Sequence, residues 1–152
     1  MTQALAGIRI LDLSRVLAGP WATQLLGDLG AEVIKIEKPG SGDDTRSWVP
    51  PFQYGTDPEN REASYFLSAN RNKKSVCIDM ASSRGQEIIR ELARTSDVVV
   101  ENFKTGGLAK YGLDADSLRR SHPGLIYCSI TGFGQTGPYA ALPGYDLLIQ
   151  AM

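Results

Sequence analysis

The sequence predicts an α/β fold of the Rossmann-like, doubly wound type, built on a mainly parallel sheet. Two observations predict it: short apolar runs typical of buried strands alternate with amphipathic segments, and the first strand–helix–strand unit needs only about thirty residues. With 152 residues, the chain is long enough for one domain with a hydrophobic core.

The first strand–helix–strand unit is the clearest part of the pattern. Residues 8–13 (IRILDL) predict a strand, and residues 21–29 (WATQLLGDL) predict a helix with Pro20 in its first turn. Gly30 ends that helix, and residues 31–37 (AEVIKIE) predict the second strand. A connection of this kind implies that the two strands are parallel.

The alternation continues through the rest of the chain. The helix over 83–94 is the best defined, since Ile88, Ile89, Leu92 and Ala93 share one face. Asp114 is the expected cap of the next helix. The remaining predicted elements are an ordered segment at 63–67, strands at 75–80, 97–101 and 125–131, a helix at 114–120 and the start of a helix at 146–152.

Three stretches read as connections. Residues 38–62 are rich in Gly, Pro and charge and predict a long functional or disordered loop, in which Asp43 and Asp44 are expected to be solvated. Residues 70–74 (NRNKK) predict a tight basic turn, and residues 132–144 predict a glycine-rich loop.

Composition excludes several classes of function. A formal net charge of −1 argues against a general attraction to nucleic acid or to an anionic membrane, and no apolar run approaches the roughly 20 residues of a membrane span. His122 is the only histidine, which leaves no metal site and no Ser-His-Asp triad to propose. Cys77 and Cys128 are expected to be buried thiols in a reducing compartment. The N-terminus has neither a secretory nor a transit pattern, so we expect a cytoplasmic protein.

The turn after the first predicted strand is the first candidate site. Residues 14–20 (SRVLAGP) lead into a helix, whose N-terminal N–H groups can bind phosphate. The turn lacks the G-x-G-x-x-G pattern of dinucleotide sites. Glu37 matches the position of a ribose-binding acid, but acids commonly end strands.

Three further segments can be interpreted in two ways. Arg71, Lys73 and Lys74, with Lys38 and Lys110 elsewhere, form either a phosphate-binding cluster or a solvated basic surface. The end of strand 97–101 carries Asn102 and Phe103, which either hold a flat base or only end and pack the strand. Residues 132–137 form either a backbone site for a ligand or a plain loop.

Taken in order, four segments resemble one family. They are LDLSRVLAGPWATQLLGDLGAEVIKIEKPGSGDDTR, SANRNKKSVCIDM, DVVVENF and YCSITGFGQTGPYAALPGYD. Together they resemble the N-terminal part of the class III, formyl-CoA-transferase-like (CaiB/BaiF) CoA-transferases, and most closely the succinyl-CoA:dicarboxylate (glutarate-type) branch. The resemblance implies that residues 1–152 are the N-terminal part of a Rossmann-like CoA-binding domain in an interlocked homodimer, with the remainder of the family fold absent.

The resemblance also implies a set of contacts. Coenzyme A enters as a substrate, with an acyl-CoA and a carboxylic acid as reactants and no tightly bound cofactor or metal. The positions that match CoA contacts of the family are Val16, Leu17, Ala18, Lys38, Ile78, Asn102, Phe103 and Lys110.

The implied mechanism is nucleophilic catalysis by an aspartate. The family's aspartate lies downstream of the segment that matches Gly144–Asp146, so we expect it beyond Met152, and Asp146 matches a different position. The chain is therefore expected to be a truncated, inactive CoA-binding part. Racemases of the same family carry a histidine where this chain has Tyr145, which favours a transferase. A racemase or lyase of the family, a non-catalytic CoA-binding module and an NAD-binding Rossmann domain remain the alternatives.

Overall fold

A five-stranded sheet in which every pair of neighbouring strands is parallel forms the centre of the molecule. The computed structural model describes residues 3–48, 52–54 and 61–152. A separate antiparallel pair stands apart from this sheet. The strands are β1 (Arg9–Asp12), β2 (Glu32–Glu37), β3 (Phe52–Tyr54), β4 (Arg61–Ala63), β5 (Lys73–Cys77), β6 (Val98–Glu101) and β7 (Ile126–Ser129).

Helices connect most of the parallel strands. They are α1 (Ala18–Asp28), α2 (Ser64–Asn70), α3 (Ser83–Arg94), α4 (Ala115–Ser121) and α5 (Asp146–Gln150), with short 3₁₀ turns at Asp44–Ser47 and Ala109–Tyr111. The helix predicted over 83–94 is confirmed at both ends. The first helix begins at Ala18 rather than Trp21, which keeps Pro20 in the first turn as expected.

The strand order β5-β2-β1-β6-β7 confirms the Rossmann-like prediction. The chain runs from β1 outward through β2 to β5, then returns to the other side of β1 with β6 and β7. Ile10 lies between its register partners Val33 of β2 and Val98 of β6. The direction of winding therefore reverses between β1 and β6, and open sheets of this kind bind ligands at the carboxyl ends of the strands at that reversal.

Apolar side chains cover both faces of the sheet. On one face, Leu11 and Val99 pack with Ile89 of α3 and Leu118 of α4 in a large buried cluster. On the other face, Ile10, Val33 and Val100 form a smaller cluster that includes Leu26 of α1. Strands buried on both faces require near-continuous apolar sequence, which explains why β1 and β6 are so apolar.

Two helices begin at side-chain caps. Asp114 accepts a hydrogen bond from the Ser117 amide, as the sequence predicted, and Ser82 accepts one from the Gly85 amide. Within the described residues, no helix is long and apolar enough to cross a membrane.

Three predictions about local structure are wrong. The basic turn at 70–74 ends sooner, because Lys73 and Lys74 already belong to β5 and pair with β2. Residues 38–62 include a 3₁₀ turn, all of β3 and the first two residues of β4, so their described portions are not one irregular loop. Cys77 and Cys128 are exposed rather than buried, because each lies on an edge strand of the sheet with one side unpaired.

Candidate functional site

The carboxyl ends of β1 and β6 bring two of the predicted segments together. The turn of residues 14–17 joins β1 to α1, and Asn102 and Phe103 follow β6 directly. The Asn102 side chain bonds to both backbone groups of Arg15: its Oδ1 accepts from the amide at 2.8 Å, and its Nδ2 donates to the carbonyl at 2.7 Å. Asn102 therefore joins the two strand ends across the point where the winding reverses.

Side chains, rather than a backbone ladder, hold the turn in place. The amides of Ser14, Arg15 and Val16 donate to Asp12, Asn102 and Asp43 respectively. The Ser14 carbonyl accepts from Lys35 Nζ at 2.9 Å. Because these acceptors and donors come from four separate segments, the shape of the turn depends on the tertiary fold.

Val16 adopts an unusual backbone conformation. Its φ of 68° lies in the left-handed region, which a β-branched residue rarely occupies. This conformation costs an L-residue about 1–2 kcal/mol. The Val16 amide lies 3.3 and 3.2 Å from the two carboxylate oxygens of Asp43. Strain of this kind persists only where the surroundings impose it, and it concentrates at functional sites.

Asp43 and Lys35 form a buried ion pair under the turn. The Lys35 Nζ lies 2.9 Å from Asp43 Oδ2, and both side chains are only 1% exposed. Thr45 adds two hydrogen bonds to Asp43 Oδ1, from its amide at 3.0 Å and its hydroxyl at 2.8 Å. The expectation that Asp43 is solvated is wrong, since the loop folds back onto β2.

Glu37 holds the same loop from its other side. It accepts two hydrogen bonds from Arg46, at 2.7 and 2.8 Å, and one from the Asp43 amide at 2.8 Å. The Ser75 hydroxyl donates to it as well. With these partners Glu37 is occupied inside the protein, so it does not serve as the ribose-binding acid that its sequence position suggested.

A second buried ion pair lies beneath the start of α1. Asp12 Oδ2 accepts from Lys73 Nζ at 3.1 Å and from the Thr23 hydroxyl at 2.6 Å. Its Oδ1 accepts from the amide and the hydroxyl of Ser14. Lys73 Nζ also donates to the Pro20 carbonyl at 2.8 Å. This pair ties β5, β1 and α1 together directly behind the turn.

Burial and hydrogen bonding shift the pKa values of these groups in opposite directions. Burial alone would raise the pKa of Glu37, but the bonds from Arg46, Ser75 and the Asp43 amide together lower it to about 2. Burial also opposes ionisation of Asp43, yet Lys35 and Thr45 hold its pKa below the ordinary value. Burial lowers the pKa of Lys73 to about 8, against the opposing effect of Asp12. The two carboxylates are therefore charged at neutral pH.

The start of α1 lies at the same reversal point, where the space between residues 15–18 and residues 102–103 forms a crevice at the carboxyl ends of β1 and β6. No side chain of the described residues caps it, its first turn carries no acidic residue, and Leu17 and Ala18 are exposed. The amides of Leu17 and Ala18 have no hydrogen-bond acceptor in the part of the chain that the structure describes. Free amides at the positive end of a helix attract phosphate and carboxylate groups.

An aromatic ring forms the β6 side of the crevice. Phe103 is half-buried, and the Arg15 guanidinium lies 4.7 Å from the centre of its ring. The side-chain amide of Asn102 holds the turn through its two hydrogen bonds to Arg15, a role that its sequence position did not indicate. Its contact with a ligand stays a prediction.

The remaining predicted contacts lie at different depths. Lys38 is exposed one residue beyond β2. Ile78 lies one residue beyond β5, is 8% exposed and packs into the larger apolar cluster. Lys110 is exposed in the 3₁₀ turn after β6, with its Nζ 4.7 Å from the centre of the Tyr111 ring. No contact in the structure tests their binding to a ligand.

The structure does not bring Arg71, Lys73 and Lys74 together as one free basic cluster. Arg71 pairs with Asp28 and Lys74 with Glu32, while Lys73 is buried against Asp12. Each of the three cations therefore has a carboxylate partner from another part of the chain. Lys38 and Lys110 make no such pair within the described residues.

The glycine-rich loop is closed at its base by two glycines. A Cβ built on Gly132 would lie 2.3 Å from Gly144 Cα, so only glycine permits this approach. Beside the loop, a cleft of about 250 Å³ lies at the ends of β6 and β7, lined by residues that include Glu101, Tyr127 and Gln135. Among the described residues, no group of three His, Cys, Asp or Glu side chains is arranged to hold a metal.

Comparison with known proteins places this chain in a family. The family model of CoA-transferase family III matches residues 5–152, and the chain belongs to that family. The family resemblance drawn from the four segments is therefore confirmed.

Two relatives in this family are named as glutarate CoA-transferases. The chain is 59% identical over 148 residues to the succinate–glutarate CoA-transferase of Agrobacterium fabrum, covering 97% of this chain and 37% of the relative. It is 54% identical to the human succinyl-CoA:glutarate CoA-transferase, covering 97% of this chain and 32% of the relative. The chain thus spans about a third of the length of these relatives.

A solved structure agrees with the fold. A CaiB/BaiF family protein from Brucella suis superposes with a TM-score of 0.94 at 53% identity, covering 99% of this chain and 39% of that one. The match runs through the whole α/β sheet described above.

The sequence reasoning missed the buried charges under the turn. Lys35, Asp43, Asp12 and Lys73 shape the site, and of these only Lys73 was a candidate, as a phosphate ligand rather than as half of a buried ion pair. One signal was available: Lys35 interrupts the apolar strand β2, and a lysine at such a position needs a buried partner. Nothing in the sequence identified Asp43 as that partner, since it lies in a long polar loop.

Proposed function

We propose that this chain is the CoA-binding part of a transferase that moves CoA from succinyl-CoA to a dicarboxylic acid such as glutarate. The observation that carries the proposal is the 59% identity to a succinate–glutarate CoA-transferase over nearly the whole chain. The meeting of the residue 14–17 turn with Asn102 and Phe103 where the sheet winding reverses supports it.

In this proposal, the crevice holds CoA by its phosphates and its adenine. The free amides of Leu17 and Ala18, at the positive end of α1, bind the pyrophosphate. Lys38 and Lys110 are exposed cations that balance the remaining phosphate charge. The paired Phe103 ring and Arg15 guanidinium provide a flat surface for the adenine. Ile78, one residue beyond β5, adds an apolar contact in this proposal.

The proposed chemistry needs a carboxylate nucleophile outside this chain. Its oxygen attacks the thioester carbonyl and CoA thiolate leaves, which gives a mixed anhydride. The thiolate then attacks the enzyme's own carbonyl, releases the donor acid and leaves an enzyme–CoA thioester. The acceptor acid reverses these steps. The residues of the crevice would hold CoA in one place throughout, so the thiolate does not diffuse away. We propose that the whole protein is a cytoplasmic homodimer.

The alternatives have less support. An NAD-binding domain is disfavoured, because the family match covers residues 5–152 and the turn lacks the glycine pattern. A racemase is disfavoured because the resemblance implies a histidine at the position of Tyr145 in racemases of the family. The relatives named above are transferases.

Ligand titration tests the proposal. We expect the purified protein to bind CoA and not NAD, and Lys38→Ala to weaken CoA binding about tenfold through loss of one charged phosphate contact. Lys74→Ala is the matched control, because it removes an exposed lysine that pairs with Glu32 on β2. Binding of NAD without CoA would overturn the proposal, and so would equal losses in the two variants. Turnover of succinyl-CoA and glutarate by residues 1–152 alone would contradict a nucleophile outside the chain.

A further inference from the structure

Asp43 lies beneath the crevice and is 2% exposed, so it is too deep to serve as a surface contact for a large ligand. Its carboxylate is engaged by Val16, Lys35 and Thr45. We infer that Asp43, paired with Lys35, is a positioning residue that holds Val16 in its left-handed conformation and so sets the direction of the Leu17 and Ala18 amides. This inference rests on the proposed CoA-binding function.

The geometry gives Asp43 direct control of the backbone. The Val16 amide lies at nearly equal distances, 3.3 and 3.2 Å, from the two carboxylate oxygens. Val16 has a φ of 68°, and a valine without such a partner prefers a negative φ. Because Leu17 and Ala18 follow at once, a change of φ at Val16 would swing both free amides away from their present place.

Lys35 extends the contact between Asp43 and the turn to a second residue, Ser14. Its Nζ donates to the Ser14 carbonyl and to Asp43, each at 2.9 Å, while Asp43 accepts from the Val16 amide. One buried ion pair therefore holds the turn at both Ser14 and Val16. Asn102 holds Arg15 between them from the β6 side. Side chains of the protein itself therefore hold the turn, and a backbone fixed in this way lowers the entropy cost of binding.

A merely structural carboxylate would behave differently from a positioning one. Glycine adopts φ values above zero without steric cost, so a glycine at position 16 does not need to be held there. If Asp43 acts by imposing that conformation, its removal matters much less when residue 16 is glycine. If Asp43 only stabilises the fold, the loss is the same with either residue.

The test is a double-mutant cycle on CoA affinity. We compare wild type, Asp43→Asn, Val16→Gly and the double variant by titration with free CoA. We expect Asp43→Asn to weaken binding about tenfold, which corresponds to about 1.4 kcal/mol, and to weaken it less than about threefold in the Val16→Gly background. Equal losses in both backgrounds would overturn the inference.

Two further variants separate positioning from folding. Asp43→Asn leaves the buried Lys35 charge without a partner. If that variant does not fold, the double variant Asp43→Asn with Lys35→Met, which removes both charges, is tested in its place. It should still show weakened CoA binding and rescue by Val16→Gly. Leu118→Ala, a buried α4 residue remote from the turn, should lower stability without changing CoA affinity of the folded protein.

Hydrogen exchange makes the outcome independent of the proposed function. In Asp43→Asn and in the double-charge variant, the Val16 amide should exchange faster than in wild type, while amides of α3 should not. If wild type does not bind CoA, the proposed function fails, and the exchange rates still decide the positioning role. Unchanged exchange at Val16 would overturn that role whatever the ligand.

Discussion

The two ends of the central sheet carry clefts of opposite character. At the amino ends of the strands, a cleft of about 490 Å³ is lined by residues from Gly7 to Arg9, by Gly30 and Glu32, and by Thr95 and Asp97. Its charges are on the surface: Arg9 and Glu32 pair at 2.7 Å with side chains 39% and 33% exposed. Ordinary backbone hydrogen bonds form its walls, such as the Asp97 amide to the Arg9 carbonyl.

At the carboxyl ends the pattern is reversed. Two ion pairs, Lys35 with Asp43 and Lys73 with Asp12, are almost completely buried, and they support a turn with a strained valine. Buried charges and strained backbone are costly, so they persist where function requires them. The comparison teaches that the volume of a cleft identifies this site less well than the charges buried behind it.

The largest loss of stability that tests this difference between the two ends of the sheet is expected for a substitution of Asp12. Asp12→Ala leaves Lys73 buried without a carboxylate and frees Ser14 and Thr23, so we expect a loss of about 3–5 kcal/mol in the free energy of unfolding by urea. Glu32→Ala at the amino end is the control and should leave the unfolding midpoint within experimental error. Similar losses in the two variants would show that burial does not distinguish the two ends.

The next effect is a dependence on acid pH. The pKa of Glu37 falls from an ordinary 4.5 to about 2, so its contribution is complete above pH 4.5 and is lost as the pH falls towards 2. That contribution amounts to about 3 kcal/mol. The difference in unfolding free energy between wild type and Glu37→Gln should therefore be large at pH 6 and shrink between pH 4.5 and 2. Glu91→Gln, an exposed carboxylate of α3, is the control, and a pH-independent Glu37 difference would contradict the expectation.

The smallest effect concerns the packing of α1 against the turn. A Cβ on Gly19 would lie 2.2 Å from the Cβ of buried Ser14, so Gly19→Ala should destabilise by about 1–3 kcal/mol, although alanine normally favours a helix. Gly124→Ala is the control, since its nearest neighbour would be 3.9 Å away. Thermal unfolding measures both, and a stabilised Gly19→Ala protein would refute the close contact.

Much of the fold could be predicted because the parallel strands are short and apolar. Helix α3 was predicted at both ends, since its apolar face and its Ser82 cap are local features. The exposure of Cys77 and Cys128 was not predictable in the same way. A strand at the centre of a sheet and one at its edge have similar sequences, and only the strand order separates them.

The site was predictable only in outline. The positions of Val16, Leu17 and Asn102 at strand ends follow from the order of elements, because the carboxyl ends of parallel strands share one edge. The sequence left Arg71, Lys73 and Lys74 as either a phosphate cluster or a solvated basic surface, and the structure pairs each of them with a carboxylate from another element.

By itself, the sequence determined the α/β order, the family and the segments that reach the crevice, because these depend on local pattern and on extended similarity. Only the tertiary structure decided which charges are buried and what they hold. Lys35 and Asp43 are eight positions apart along the chain, Lys73 and Asp12 sixty-one, and both pairs act on one turn. The physical reason is that a buried charge needs a partner in space, and the sequence does not record distances in space.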